Sequence, residues 1–593
     1  SDLQTLIDDT SSGATLDLTD DYSFNKNTDN NKGISITKDI TINGNGHTLN
    51  GNFLSRIFNI SQSNVIFKDL NFINGYANTS RDDSYGGAIY AKDSNVSVIN
   101  CNFDNNTVYA GNGFGGAIYC PDGYVNAINS NFVNNSASWK GGGAIYSKSI
   151  SLVNCNLTAN YATWGGAIYS KSYVNVTNSN FKDNFVYAND GGSIYSNGDV
   201  NVLNSSFINS VASCRGGVIF INDKGNANLT NCDFINNTAG DGDGGVVYTP
   251  EGNITAINCN FVDNYVYYGG GILATELGNV NVTNCNFTNS FAEGEGEDGG
   301  AVFTHEGNIT AINSNFINNI IERGNGGAIA TNNGTVIVMN CSFVNNSADY
   351  DGGAIYSDDG NLAVVNCSFV NNSADDDGGA IYNDGFTTMD NCSVINTSSG
   401  CYGAVYSYSD INVTNSTFIN NSIIADYGYG AAIYAAGDSI INDSFFINNH
   451  ITALNDGYGG AVYALYAADI SNSTFVNNTI IGTDESYGGA IYSDDKLKVE
   501  YCIFDANNAT TGKDIYWEGY SYGNYSLDNN YWSMNFTTKE EFINADLVSI
   551  YDGNDTYSVA PDNWVLMSIY VPDELKVGVS APILVKLDKL TDG

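Results

Sequence analysis

Apolar residues along this chain alternate with polar ones in short bursts. A run such as Val280-Asn281-Val282-Thr283 keeps every second position apolar and then stops among Asn, Ser or Gly residues. Period two over so short a span predicts half-buried β-strands. The bursts recur with two punctuating motifs. Gly-Gly-Ala-Ile, usually followed by Tyr, returns with variations at Gly86, Gly115, Gly142, Gly165, Gly191, Gly216, Gly244, Gly269, Gly299, Gly326, Gly352, Gly378, Gly459 and Gly488, with degenerate copies starting at Tyr402 and Gly430. Interleaved with it is Asn-(Cys/Ser)-x-Phe-x-Asn, as around Phe103, Phe207 and Phe343, with Leu157 and Val394 standing in for Phe in two copies.

The resulting unit is about 27 residues long, holds three short strands and shows no helical period. One such unit cannot bury its own apolar face, whereas stacked copies share a continuous core. Gly pairs and Asn clusters supply corners, because both tolerate left-handed backbone. A leucine-rich repeat has a similar period but carries Leu-x-x-Leu-x-Leu instead. The expected fold is all-β: a right-handed parallel β-helix.

Parity follows from residue type. The Ile position is Ile or Val in every copy, as a buried β-branched stack requires, which sends the Tyr beside it to the outer face. Phe should point inward, and so should the position two residues earlier. That position is Cys at 101, 155, 232, 259, 285, 341, 367, 392 and 502 and mostly Ser elsewhere. In-register stacking gives poor disulfide torsion, so mostly free, buried thiols are expected. For an extracellular chain these would fit a reducing habitat. The Asn two residues after Phe, as at Asn74, Asn105 and Asn448, should form a coil-to-coil amide ladder with a structural role.

The ends differ from the repeat. Asp2 to Asp8 reads as a short amphipathic helix, and residues 1–55 as an N-terminal cap with the first coils. The β-helix itself is expected over 56–535 and a C-terminal cap or linker over 536–562. Alternation from about Trp564 through Val571-Pro572-Asp573 reads as the opening of an Ig-like β-sandwich over 563–593, cut short at Gly593. Ser1 opens directly into polar sequence without a visible leader, so the chain reads as a fragment of something longer.

Leu-Gln-Thr-Leu-Ile-Asp near the start, Ile-Thr-Ile-Asn-Gly-Asn-Gly-His-Thr-Leu at 40–49 and the two repeated motifs resemble the adhesin-like surface proteins of methanogenic archaea. Asp528-Asn529-Asn530-Tyr531-Trp532 and Pro561-Asp562-Asn563-Trp564 are similar to that family as well, so the likeness runs through nearly the whole chain. The Gly-Gly-Ala-Ile and Phe-x-x-Asn pair also resembles the repeats of chlamydial polymorphic outer-membrane proteins. The resemblance implies an extracellular, cell-surface or cell-wall role in adhesion, with Ig-like repeats toward the wall. It carries over no catalytic or binding residue.

Charge narrows the partners. With 64 acids against 21 bases the formal charge is −43, a field that repels nucleic acid and anionic lipid. No apolar run is long enough to insert in a membrane. Lyases and hydrolases also use parallel β-helices, and would need a strong base beside an acid cluster or paired carboxylates. Bases are scarce, and His47, His305 and His450 are too far apart in the repeat to share a metal. The chain therefore reads as non-catalytic, with no required cofactor.

The residue before each Gly pair, or its equivalent in the degenerate copies, carries the remaining chemistry. It is Tyr85, Phe114, Gly141 and Trp164 early, Asp190, Arg215, Asp243, Tyr268, Asp298, Asn325, Asp351 and Asp377 in the middle, then Cys401, Tyr429, Tyr458 and Tyr487. Asp243, Asp298, Asp351 and Asp377 are the candidate calcium ligands, reinforced by Asp241, Glu293, Glu295, Glu297, Asp349, Asp375 and Asp376. Like charges on adjacent coils repel, and Ca²⁺ relieves that; the plainer reading is that these loops splay into water. Trp164, Tyr429, Tyr458 and Tyr487 are the candidate ligand face, since such rings stack on sugars; the plainer reading is that each ring packs on its neighbour. Asn-x-Ser/Thr triplets such as Asn95-Val96-Ser97 make the chain a candidate glycoprotein. The functional expectation is a surface adhesin or scaffold whose partner is another cell, a host surface or a glycan. A self-associating envelope filament is the alternative, and a polysaccharide lyase or hydrolase the second.

Overall fold

The structure, a computed structural model, describes residues 2–27, 32–78, 85–109, 111–294, 298–482, 485–519, 525–534, 536–553, 555–570 and 584–591. It divides into two units, one of residues 1–315 with 319–322, the other of residues 316–318 with 323–593. Each is built as a right-handed parallel β-solenoid with three parallel sheets, about 18 turns of about 27 residues in all.

One turn of the first unit shows the plan. Ile89–Lys92 and Asn95–Ile99 lie in the first sheet, Asn102–Asp104 in the second and Thr107–Val108 in the third. The next turn repeats them in register, Ile89 opposite Ile118, Val96 opposite Val125, Phe103 opposite Phe132 and Thr107 opposite Ser136. The second unit follows the same plan, with Ile355 opposite Ile381, Phe369 opposite Val394 and Ser373 opposite Ser398. A turn thus holds four strand segments rather than the expected three. The last is often only two residues long, too short to show a period.

The corners explain the motif. Gly86 has φ +61°, and a Cβ there would sit 2.0 Å from the Ile89 carbonyl oxygen; one on Gly87 would meet the Gly116 oxygen at 2.3 Å. Both positions therefore exclude a side chain, for different reasons. Asn100 and Asn105 hold the other corners at φ +53° and +57°, where Asn is the best tolerated non-glycine residue.

The core has the expected parity. Ile89, Ile118, Phe103 and Phe132 are fully buried. Phenylalanines stack turn on turn, Phe103 on Phe132 at 4.8 Å and 4° in the first unit, Phe418 on Phe446 at 4.9 Å and 1° in the second. One copy corrects the rule that the Ile position is always β-branched. At Gly269 three glycines follow one another, the corner slips by a residue, and Leu273 rather than Ile272 pairs with Val247 and Val302.

The Cys/Ser exchange also has a physical cause. The Cys101 backbone N–H donates to Ser130 Oγ at 3.1 Å, that of Cys155 to Ser179 Oγ at 3.0 Å and that of Cys341 to Cys367 Sγ at 3.4 Å. The same group donates back along its own chain, Cys101 Sγ to the Ile99 carbonyl and Ser130 Oγ to the Ile128 carbonyl. A thiol and a hydroxyl fill this role equally. All cysteines are free thiols, buried except for the half-buried Cys214 and Cys401, and burial pushes the Cys101 thiol up to about 11.

Asparagine builds a second ladder, inside the barrel. Next to the exposed ladder, in which Asn477 donates to Asn448 and Asn448 to Asn420, runs a fully buried one. Asn106 donates through both its backbone N–H and Nδ2 to Asn135 Oδ1, at 3.1 and 3.0 Å, and through Nδ2 to the Phe72 carbonyl at 3.0 Å. Asn135 repeats this with Asn160 and the Phe103 carbonyl. Every amide on such rungs is satisfied, the condition for burying it.

At the start, helix α1 (Asp2–Asp9) buries Leu3 and Ile7 against the first turns, and Thr15–Asp17 pairs with Ile40–Asn43. At the end, helix α2 (Lys539–Asn544) opens with a Thr538–Glu541 capping box and sets Phe542 edge-on to Trp532 at 4.8 Å. Parallel pairing carries on past residue 535, Ile515–Glu518 with Val548–Tyr551 and Asn530-Tyr531 with Trp564-Val565. Segment 536–562 thus contributes strands as well as the cap. In the stretch expected to open an Ig-like domain, Asn563–Tyr570 runs antiparallel to Leu584–Thr591; residues 571–583 lie outside the described residues. Among the described residues no helix is long and apolar enough to cross a membrane.

Candidate functional site: the corner before each glycine pair

The Tyr beside each buried Ile does point outward, but it is not left in water. In the first unit the rings form a ladder from Tyr119 to Tyr146 at 4.9 Å, Tyr146 to Tyr169 at 4.9 Å and Tyr169 to Tyr195 at 4.6 Å, all near parallel. Tyr146 keeps 8% of its surface and Tyr248 3%. Burial raises these phenols well above their ordinary pKa. Arg56 sits over Tyr90 at 4.9 Å and donates to the carbonyls of Tyr85 and Gly86. Its burial lowers it to about 10. Arg215 lies over both Phe220 and Tyr248 at 5.0 Å and bonds Asp190 at 3.3 Å. Trp164 is half-buried in the first unit, with the Lys140 ammonium 5.1 Å from its ring.

Tyr429, Tyr458 and Tyr487 belong to the second unit, so the four aromatic candidates make two separate places. There the corner is longer and forms an extra small parallel sheet from Gly428–Tyr429, Gly457–Tyr458 and Ser486–Tyr487. Tyr429 stacks on Tyr458 at 5.1 Å and Tyr458 on Tyr487 at 5.5 Å, within 12° of parallel. Tyr429 and Tyr458 meet the neighbouring ladder edge-on, Tyr458 against Tyr492 at 81°, and Tyr487 lies tilted on Tyr516 at 59°. Their hydroxyls face carboxylates: Tyr458 with Asp456, Tyr487 with Glu485, and beside them Tyr463 with Asp494. Tyr429 is stacked between Tyr402 and Tyr458, and Tyr458 between Tyr429 and Tyr487, so the faces of these two rings are covered by their neighbours.

The column itself needs two corrections. Tyr268, placed in it by the Gly269 motif, is 51% exposed, and its place is taken by Gly270, whose N–H donates to Asp243 Oδ1 at 2.8 Å. Cys401 yields to Tyr402, whose N–H reaches Asp377 Oδ1 at 3.3 Å and whose ring stacks on Tyr429. In both copies the regular glycine pair is missing or tripled, so the motif gave the wrong frame.

The acids are tied into the same backbone. In the second unit Asp351 N–H donates to Asn325 Oδ1 and Asp377 N–H to Asp351 Oδ1, each at 2.9 Å. Burial pushes the Asp351 carboxyl up to about 6 and that of Asp377, also facing Asp351, up to about 7. Upward shifts of this kind lower the charge that the two carboxyls carry near neutral pH, and with it their mutual repulsion. In the first unit Asp298 is buried. Asp243 and Asp298 lie in one unit and Asp351 and Asp377 in the other. Among the described residues no three His, Cys, Asp or Glu converge as metal ligands. Glu295 and Glu297 lie outside the described residues. His47 bonds Asp21 at 3.1 Å, whereas His450 sits in a third-sheet strand of the second unit, paired with Ser422 and Thr479.

What the motif reading missed is a group of exposed aromatics on the third sheet of the first unit: Tyr109, Trp139, Tyr161, Phe185 and Tyr187. The signal was present. The distance from Phe to the next Gly pair varies, from 132 to 142 but only 157 to 165, and insertions there enter this corner.

This geometry defines a parallel β-solenoid whose corners carry stacked rings and hydrogen-bonded acids. The family described as "Right handed beta helix region" matches residues 244–418 and again 299–480, less than half of the chain. The "Chlamydia polymorphic membrane protein (Chlamydia_PMP) repeat" matches residues 100–121, which hold Phe103 and Gly115-Gly116-Ala117-Ile118. Comparison with curated proteins and with solved structures found no match.

Proposed function

We propose that this chain is a non-catalytic attachment module on a cell surface, an adhesin or scaffold that holds another cell, a host surface or an extracellular glycan. The observation that carries this reading is a division of labour in the first unit. The ladder asparagines are engaged within the stack, while exposed aromatic rings stand at or just beyond the third-sheet strands of four successive turns. The polymorphic membrane protein repeat at 100–121 supports a surface location. The likeness of the motifs to adhesin-like proteins of methanogenic archaea points the same way. The test is attachment of protein-coated beads to cells and glycan-coated surfaces: retention above uncoated beads is expected, and none on any surface would refute it.

A second reading, self-association into a filament, is favoured by the exposed aliphatics Ile424, Leu454 and Ile481 on successive turns of the second unit. Sedimentation separates the two. A single monomeric species over a wide concentration range supports attachment, and growing oligomers support the filament.

A further inference from the structure

We propose that the outward face of the third sheet in the first unit, centred on Trp139, is a binding platform for an uncharged polysaccharide. This rests on the attachment reading and names its ligand class and place.

The platform is built by register. Thr107, Ser136, Tyr161 and Phe185 pair in succession; Ser136 is buried with its hydroxyl on Thr107 Oγ1 at 3.2 Å, whereas Tyr161 and Phe185 are 38% and 42% exposed. In the turn of Ser136 the strand bulges: Ala137 pairs with Ala162, but the next pair is Gly141 with Trp164, so Ser138-Trp139-Lys140 stand against Thr163 alone. A bulge re-aims side chains, and this one leaves Trp139 54% exposed. Its chain neighbours on either side, Ser138 and Lys140, are braced. Tyr187 donates its hydroxyl to the Ser138 carbonyl at 2.5 Å and receives one from Thr163 at 3.3 Å, while Lys140 is held over Trp164. A large exposed ring on a fixed mount is preorganised to bind with little entropy loss.

Ligand class follows from three features. The exposed large side chains here, Tyr109, Trp139, Tyr161, Phe185 and Tyr187, are all aromatic, set beside the partly exposed hydroxyls of Thr107 and Ser138. Flat apolar faces ringed by hydrogen-bonding groups match sugars, which carry C–H faces and hydroxyl rims. From the turn of Tyr109 to that of Tyr187 there are three strand spacings of ~4.8 Å, so the rings suit a run of linked sugars rather than one. The charge of −43 repels polyanions, which favours a neutral polymer. Unlike Tyr429 and Tyr458, whose faces are stacked on one another, Trp139 keeps its ring open to solvent.

The test is affinity electrophoresis of the whole chain through gels containing a soluble glucan, mannan or galactan, with polygalacturonate as the charged control. Wild type should be retarded by at least one neutral polymer and not by polygalacturonate. Trp139→Ala should weaken that retardation at least tenfold; Tyr187→Phe, which keeps the ring and loses the brace, should weaken it less; Tyr458→Ser should leave it unchanged. Trp139 is exposed, so its variant should keep the wild-type circular dichroism. Retardation equal to wild type in Trp139→Ala, Tyr161→Ala and Phe185→Ala overturns the platform but not the attachment reading. No retardation in any neutral gel, with beads still held on cells in a Trp139-dependent way, overturns the polysaccharide in favour of a protein partner. Loss of both defeats the attachment reading as well.

Discussion

The buried asparagine ladder makes the sharpest stability prediction, at neighbouring residues with opposite environments. Asn449 is fully buried; its Oδ1 accepts from Asn421 N at 3.1 Å and Asn421 Nδ2 at 2.9 Å, and its Nδ2 donates to Asn478 Oδ1 at 2.9 Å and the Phe418 carbonyl at 3.0 Å. Asn449→Ala orphans the two Asn421 donors inside the stack. At ~1–3 kcal/mol for each buried unpaired group, the loss should be about 3 kcal/mol or more, roughly a hundredfold in the opening equilibrium. Asn448, one residue earlier, is exposed and makes one bond to each neighbour, at 3.2 and 2.8 Å. Its φ is +56°, so Asn448→Gly removes the amide without straining the backbone. That variant should change stability by less than about 1 kcal/mol. Hydrogen exchange read by mass spectrometry over residues 418–480 resolves this: exchange in the turns on either side of 449 should speed up strongly in Asn449→Ala and little in Asn448→Gly. Equal effects would refute the view that the inner ladder holds the turns together.

Three further outcomes follow from the same contacts. Ser290 Oγ and Thr397 Oγ1, which interrupt the inner ladder, make no hydrogen bond; Ser290→Asn and Thr397→Asn should each stabilise by about 1 kcal/mol, seen as a higher denaturant midpoint. Asp514 is buried beside Asn507, and burial pushes its carboxyl up to about 7. The folded state therefore holds that proton after the unfolded chain has lost it. Stability should fall as pH rises from about 4 to 7, by up to about 4 kcal/mol, and Asp514→Asn should flatten this in denaturant titrations; an unchanged slope counts against it. Melting with and without a calcium chelator should give the same midpoint at pH 6, because backbone N–H groups serve Asp351 and Asp377 and burial raises both carboxyls toward protonation; a lower midpoint with chelator would assign them a cation.

Legibility in the sequence followed the rigid parts of the turn. Ile89, Phe103 and Cys101 were readable because period two and residue size both constrain them. Asn106 was not, although it is as buried as they are. The left-handed residue Asn105 stands between it and Phe103, so alternation does not carry across the corner, and an Asn-Asn doublet does not say which amide turns inward. The strand Thr107–Val108 is too short to show a period at all. Leu273 was misplaced because three glycines allow two frames, and Tyr402 because its copy lacks the pair. Trp139 lies outside the column before Gly-Gly; the variable spacing ahead of that pair marks where solvent-facing insertions go. The stacking of Tyr429, Tyr458 and Tyr487 was foreseen as the plainer alternative, since a repeat that puts one ring on every turn at strand spacing leaves little room for anything between them.

On the proposed function this surface holds a polymer without altering it. The direct measurement incubates the whole chain with each neutral polysaccharide and follows both bound protein and released products, as reducing ends or unsaturated sugars, over hours. Saturable binding with product no higher than in the protein-free control is the predicted result. Product that accumulates in proportion to the protein added would contradict the claim and make the chain a polysaccharide-cleaving enzyme.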